Sequence, residues 1–156
     1  MLTIKAPATT ANVAAGFDCF GMCLDLANTY VFEDFDDAII VNNYADTFRN
    51  KENLVIKSFI RTADIMNYNV KGLKLNIHTE IPLARGLGSS ASCITAGVAA
   101  AYYYFEKEID YDDVFYISAL LEGHPDNVCP SLFGGFTISY KNKDLYKYSK
   151  IDVPER

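Results

Sequence analysis

Pro82-Leu83-Ala84-Arg85-Gly86-Leu87-Gly88-Ser89-Ser90-Ala91-Ser92 brings two glycines and two serines to the start of a long run of small and apolar residues. Glycine lets a backbone turn sharply and approach a ligand with no Cβ in the way. The start of a helix offers unpaired N–H groups and the positive end of the helix dipole. Together these features describe an anion site, to which serine hydroxyls can add hydrogen bonds or a metal ligand. The small residues that follow, Ala91, Ala96, Gly97, Ala99, Ala100 and Ala101, let the helix pack closely on its neighbours. Two other readings of the same stretch stay open. Ser89 and Ser90 can simply cap the helix, or Gly86 to Ala91 can match the G-x-G-x-x-A dinucleotide fingerprint. That fingerprint opens directly off a strand, and here Pro82 to Arg85 intervene. A Walker A loop is excluded because no lysine follows the glycines.

Working outward, the spacing predicts a helix from an Asn53 cap to about Met66, with Leu54, Val55, Phe59, Ala63 and Met66 as its apolar stripe. From Gly72 to Glu80 apolar and polar residues alternate, Leu73, Leu75 and Ile77 against Lys74, Asn76 and His78, which predicts a half-buried strand. Residues Ser89 to Phe105 read as a helix. Tyr111 to Glu122 read as another, capped by Asp110, with Val114, Ile117, Ser118 and Leu121 buried. Further strands are expected at Leu2 to Ala6 (ending at Pro7), Met22 to Glu33, Ala38 to Tyr44, Gly134 to Tyr140 and Leu145 to Tyr148, with a loop over 8–18. Strands and helices mix without strict β-α alternation. The expected class is therefore α+β, with helices packed on a mixed, mostly antiparallel sheet.

Length and composition agree with one ordinary domain over 1–156. The chain has 156 residues, half of them apolar and 22% charged. No apolar run reaches the ~20 residues of a membrane helix, and the N-terminus lacks the pattern of a secretion signal, so the expected compartment is the cytoplasm. A net charge of −6 argues against a nucleic-acid partner. Cys19, Cys23, Cys93 and Cys129 form no C-x-x-C pair and only two histidines exist, so the cysteines read as reduced, partly buried residues.

Two outer segments carry chemistry. In Pro7-Ala8-Thr9-Thr10-Ala11-Asn12-Val13-Ala14-Ala15-Gly16-Phe17-Asp18-Cys19-Phe20-Gly21, one amide and one carboxylate stand in an otherwise non-ionic loop. Asn12 can donate and accept, and Asp18 can accept from an ammonium or hydroxyl; an Asx-turn with a helix cap is the competing reading. In Glu122-Gly123-His124-Pro125-Asp126-Asn127-Val128, Gly123 and Pro125 stop a helix. Glu122 there faces the negative end of the dipole, which points to a nearby cation. A solvated Glu beside an ordinary turn competes.

The loop Pro82 to Ser92 resembles the ATP loop of the GHMP kinases (galactokinase, homoserine kinase, mevalonate kinase and phosphomevalonate kinase). The outer segments resemble the homoserine kinase signatures P-A-T-x-A-N-x3-G-F-D-x-x-G and E-G-H-P-D-N-V, and Gly134-Gly135-Phe136 continues the resemblance as the turn into the next strand. The resemblance implies the GHMP N-terminal domain fold (ribosomal protein S5 domain 2-like). It also implies ATP and Mg²⁺ as cofactors, and ATP-dependent phosphorylation of L-homoserine to O-phospho-L-homoserine in threonine biosynthesis. By the same resemblance Pro82, Leu83, Ala84, Arg85, Gly86, Leu87, Gly88, Ser89, Ser90, Ala91 and Ser92 bind the nucleotide, and Ser90 and Glu122 hold the metal. Asn12, Asp18, His124 and Asn127 then bind homoserine. No dedicated base is implied, and Lys5 and Arg85 are secondary candidates for stabilising charge. A small-molecule partner is implied, with a homodimer carried as a candidate. The family commonly has Gly and Pro where this chain has Ala14 and Ala15, which would strain the loop if the family glycine takes positive φ. The family's second domain is expected to be missing. An inactive nucleotide- or amino-acid-binding fragment, or another GHMP kinase, remains the alternative.

Overall fold

The computed structural model describes residues 1–13, 16, 18–34, 38–42, 52–106, 108–143 and 145–152. Its elements in chain order are β1 (Leu2–Thr10), β2 (Phe20–Glu33), β3 (Ile39–Asn42), α1 (Leu54–Ile65), β4 (Leu73–His78), α2 (Ser89–Glu106), α3 (Tyr111–Glu122), α4 (Val128–Phe133), β5 (Phe136–Asn142) and β6 (Leu145–Ile151). The long β2 organises the sheet, whose strands run in the order β3-β4-β2-β5-β6, with β1 on the other side of β2. Only the β3–β4 pair is parallel among these strands. The expected mixed, mostly antiparallel sheet with packed helices is what forms. Ala14 and Ala15, and the expected end of the third strand at Tyr44, lie outside the described residues.

Local signals set several boundaries. The Asn53 side chain accepts from the Val55 N–H and so caps α1, and Asp110 accepts from the N–H groups of Asp112 and Asp113 at the start of α3. Gly123, at φ +94°, takes the left-handed conformation that ends α3. The alternation in β4 buries Leu73, Leu75 and Ile77 against Tyr30 and Phe32 of β2, Val55, Ile56 and Phe59 of α1, and Ala96, Ala100 and Ala101 of α2. Lys74, Asn76 and His78 take the opposite face. Full burial of a side chain such as Phe59 contributes on the order of 1.5–3 kcal/mol.

Two expectations need correction, and one helix was not foreseen. β1 does not end at Pro7. The pairing with β2 shifts register between Pro7 and Thr9 and continues to Thr10, because an irregularity on a strand with a single neighbour tolerates a residue without an N–H. The sequence reading assigned no element to the segment after Asn127. It forms α4, with Pro130 in the first turn, where a missing N–H breaks no intrahelical bond. Leu54 is not part of the buried stripe of α1; it is 37% exposed, at the rim of a groove that also takes in Lys57, Arg61, Ile94 and Leu121.

α2 is buried nearly all round. It faces the sheet and α1 on one side, α3 through Ile94, Val98, Ala99 and Tyr102 on a second, and α4 through Ala91 on a third. Close approach to α1 is possible because a Cβ on Gly97 would overlap the Val55 carbonyl oxygen and crowd Ser58. On an exposed helix Gly→Ala stabilises by about 1 kcal/mol. Here Gly97→Ala is expected to destabilise by about 1–3 kcal/mol through overpacking; urea unfolding measures it, and a stabilised variant would refute the packing argument.

Candidate active site

The loop between β4 and α2 lies on the end of β1. The Thr9 N–H donates to the Leu87 carbonyl at 3.2 Å. Gly88, at φ +63°, sits so close to Thr9 that a Cβ would overlap the threonine hydroxyl. Gly86, at φ +68°, faces the Asn12 amide nitrogen, and Ala84 also takes positive φ, +56°. From Pro82 to Gly86 the loop is exposed. The Ser92 N–H bonds the Gly88 carbonyl, so the N–H groups of Ser89, Ser90 and Ala91 precede the first intrahelical bond and are the orphan donors of the helix start. They point the positive end of α2 out of the loop.

The serines are not simple caps. Ser90 donates its hydroxyl to Glu122 Oε2 at 2.8 Å, across 32 positions of sequence. Ser92 turns inward and donates to the Ala6 carbonyl at 3.1 Å. Glu122 ends α3, a helix with Asp112 and Asp113 in its first turn and no basic residue in its last, so the dipole does not hold this carboxylate. Two oxygens at neighbouring corners of an Mg²⁺ octahedron stand about 2.9 Å apart, given metal–oxygen distances of about 2.0–2.1 Å. The Ser90–Glu122 pair fits that spacing and supplies hard oxygen donors. Among the described residues, no group of three or more His, Cys, Asp or Glu side chains could hold a metal by itself.

Beyond Gly123, the chain folds back onto β1 and β2. Asp126 is only 4% exposed, and its Oδ1 accepts from His124 Nδ1 at 2.8 Å and from the Asn127 N–H at 2.8 Å. A carboxylate only accepts, so Nδ1 carries the proton and Nε2 is the ring nitrogen left for a ligand. Asn127 Oδ1 accepts from the Thr9 hydroxyl at 2.9 Å. Gly21 passes so near the Asp126 carbonyl that a Cβ would overlap it. The structure thus joins Asn12 to Gly86, Ser90 to Glu122, and Asn127 to the strand that carries the loop. Asp18 is exposed at φ +59° in the turn before β2, a turn closed by the Gly16 carbonyl accepting from Cys19 and Phe20. Lys5 and Arg85 are exposed and make no ion pair among the described residues.

Sequence reasoning missed Thr9 and Asp126. Both stand inside the quoted segments, but neither was assigned a role, because one acts through a neighbouring loop and the other read as a turn former. The cysteines are free. Burial pushes the Cys129 thiol up to about 12 and raises Cys93 as well, so neither offers a thiolate.

Known proteins resemble this chain over nearly its whole length. The chain is 38% identical over its full length to a homoserine kinase of Clostridium novyi, of which it covers 53%. It is 36% identical over 99% of its length to one of Clostridium botulinum, covering 52%. The chain therefore spans about half the length of the curated relatives it matches. A solved candidate homoserine kinase from Listeria monocytogenes superposes with a TM-score of 0.89 at 31% identity, over 99% of this chain and 55% of that one. No helix among the described residues is long and apolar enough to cross a membrane. The model of the "GHMP kinases N terminal domain" matches residues 53–135, more than half of the sequence, and the chain belongs to the GHMP kinases.

Proposed function

We propose that residues 1–156 are the ATP-binding domain of a homoserine kinase, transferring the γ-phosphoryl group of ATP to the side-chain hydroxyl of L-homoserine. The products are ADP and O-phospho-L-homoserine, a step of threonine biosynthesis in the cytoplasm. The observation that carries this reading is the Ser90–Glu122 hydrogen bond of 2.8 Å at the open N-terminus of α2. It puts a hydroxyl and a carboxylate from two distant motifs beside a loop shaped for phosphate. The homoserine kinases among the relatives supply the substrate.

Phosphoryl transfer to an alcohol depends on positioning and on neutralising charge around the transferred group. In this reading the N–H groups from Gly86 to Ala91 hold the phosphates, and Ser90 and Glu122 hold Mg²⁺. Mg²⁺ neutralises phosphate charge when bound. Asn12, Asp18, His124 and Asn127 bind homoserine: Asp18 accepts from its ammonium, and the Asp126–His124 bond keeps Nε2 turned to the ligand. Lys5 and Arg85 lend positive charge. Thr9 links the two halves of the site, bonding Leu87 with its N–H and Asn127 with its hydroxyl.

Three outcomes test the proposal. With Mg-ATP and a panel of alcohols, ADP release is expected to favour homoserine over mevalonate or a sugar by roughly 10²-fold or more in kcat/KM; equal use of all three would move the chain to another branch of the family. Glu122→Gln is expected to lower turnover by about 10²–10³-fold and to weaken the Mg²⁺ dependence of nucleotide affinity, read with a fluorescent ATP analogue. An unchanged dependence would remove Glu122 from the metal. Gly88→Ala brings a side chain against Thr9 at a positive φ, where an L-residue pays roughly 1–2 kcal/mol. It is expected to weaken nucleotide binding about tenfold or more while the circular dichroism stays native.

A further inference from the structure

A rail of buried polar side chains runs beneath the loop between β4 and α2. Asn28, in the middle of β2, is 2% exposed. Its Oδ1 accepts from the Glu80 N–H at 2.8 Å and the Ile81 N–H at 3.0 Å. Its Nδ2 donates to the Tyr30 hydroxyl at 3.1 Å. The Tyr30 hydroxyl stands 2.9 Å from Ser92 Oγ, and Ser92 donates to the Ala6 carbonyl. Because the single Ser92 proton goes to Ala6, the Tyr30 proton goes to Ser92, and Cys93 Sγ, 3.4 Å from the same phenol, is left to donate to it. The run therefore has one direction, Asn28 to Tyr30 to Ser92 to Ala6, with each hydroxyl both accepting and donating. Tyr30 and Ser92 are fully buried, and burial holds the Tyr30 phenol far above its ordinary range, so it stays a neutral donor.

Core packing alone would not require these groups. Phenylalanine at 30 and alanine at 92 would fill nearly the same space, whereas buried polar groups destabilise unless every member is paired. The placement suggests another purpose. Glu80 and Ile81 are the last residues before Pro82 and form one stem of the loop. Ser92 lies in the first turn of α2 and is the other stem. Ala6 belongs to β1, the same strand whose Thr9 holds the tip of the loop through Leu87.

We propose that Asn28, Tyr30 and Ser92 are positioning residues for the nucleotide, fixing the separation of the two loop stems and thereby the aim of the N–H groups of Ser89 to Ala91. They touch no ligand themselves. The inference rests on the nucleotide reading of this loop; it adds Asn28 and Tyr30, which lie outside the motifs, and gives Ser92 a role behind the loop.

The test compares wild type, Tyr30→Phe and Ser92→Ala, with Gly97→Ala as a variant of lowered stability away from the rail. Each is titrated with a fluorescent ATP analogue in Mg²⁺ at a temperature where its circular dichroism is native. Amide exchange is followed at Glu80, Ile81 and Gly86 to Ser90. Tyr30→Phe is expected to weaken nucleotide affinity about tenfold (~1.4 kcal/mol) and to speed exchange at both stems. In steady state, KM for ATP should rise with KM for the alcohol unchanged, and Gly97→Ala should bind nucleotide like wild type. If Tyr30→Phe does not fold, Ser92→Ala carries the same expectation from the other end of the rail. Wild-type affinity in the rail variants, or an equal loss in Gly97→Ala, would overturn the positioning role and leave the nucleotide reading standing. No nucleotide binding by the wild type would overturn both.

Discussion

The candidate site depends on how near a loop can come to a strand. Gly88 has no side chain, and for that reason the phosphate loop rests on Thr9 with a backbone bond from Thr9 to Leu87. Close contact places the start of α2 over the end of β1. From there Ser90 reaches Glu122, and Thr9 reaches Asn127 on its other side. A second glycine repeats the device, since Gly21 lets β2 pass against the Asp126 carbonyl. Segments separated by more than a hundred positions meet because two residues leave room.

The polar groups divide by depth. Those near the surface (Asn12, Asp18, Ser90, His124) have free donor or acceptor capacity directed at solvent. Those beneath them (Thr9, Asn28, Ser92, Asp126) are buried and bonded within the protein. Such a layered arrangement holds the outer groups in place with little reorganisation when a charged ligand arrives, which is where electrostatic stabilisation is most effective. Glu122 is the exception to comfort. It sits at the unfavourable end of α3, and it accepts its hydrogen bond from the neutral Ser90 hydroxyl.

Much of the fold could be read locally. Asn53 and Asp110 cap the helices they were expected to cap, and the alternation of β4 has the expected faces. Of the two prolines that read as stops, Pro125 does lie beyond the end of α3, whereas Pro7 misled, because it lies at an irregularity of a strand with one neighbour. That context is not visible in a sequence window. Leu54 matched a helical stripe by spacing, yet it lies just beyond the face that meets α2. At the site, the loop was picked out by its glycines and serines and the outer motifs by resemblance, and the structure brings Asn12 beside Gly86 and Ser90 beside Glu122. The rail was illegible for a plain reason: Asn28 and Tyr30 alternate like ordinary strand residues, and their partners are set by how α2 crosses the sheet.

The sheet itself is joined unevenly. β1 pairs with β2 along most of its length, whereas β5 pairs with β2 at Phe136, Thr137 and Ile138 opposite Met22, Gly21 and Phe20, with one further backbone bond at each end, Cys23 to Gly135 and Ser139 to Cys19. The hairpin of β5 and β6 is also secured by rings, with Tyr148 stacked on Phe133 at 4.2 Å between centroids and edge-on to Phe115 at 5.0 Å. A short ladder backed by aromatic contact is the kind of joint at which local opening is least costly. Because apolar association weakens on cooling, the ring contacts that back this ladder hold it less firmly as temperature falls.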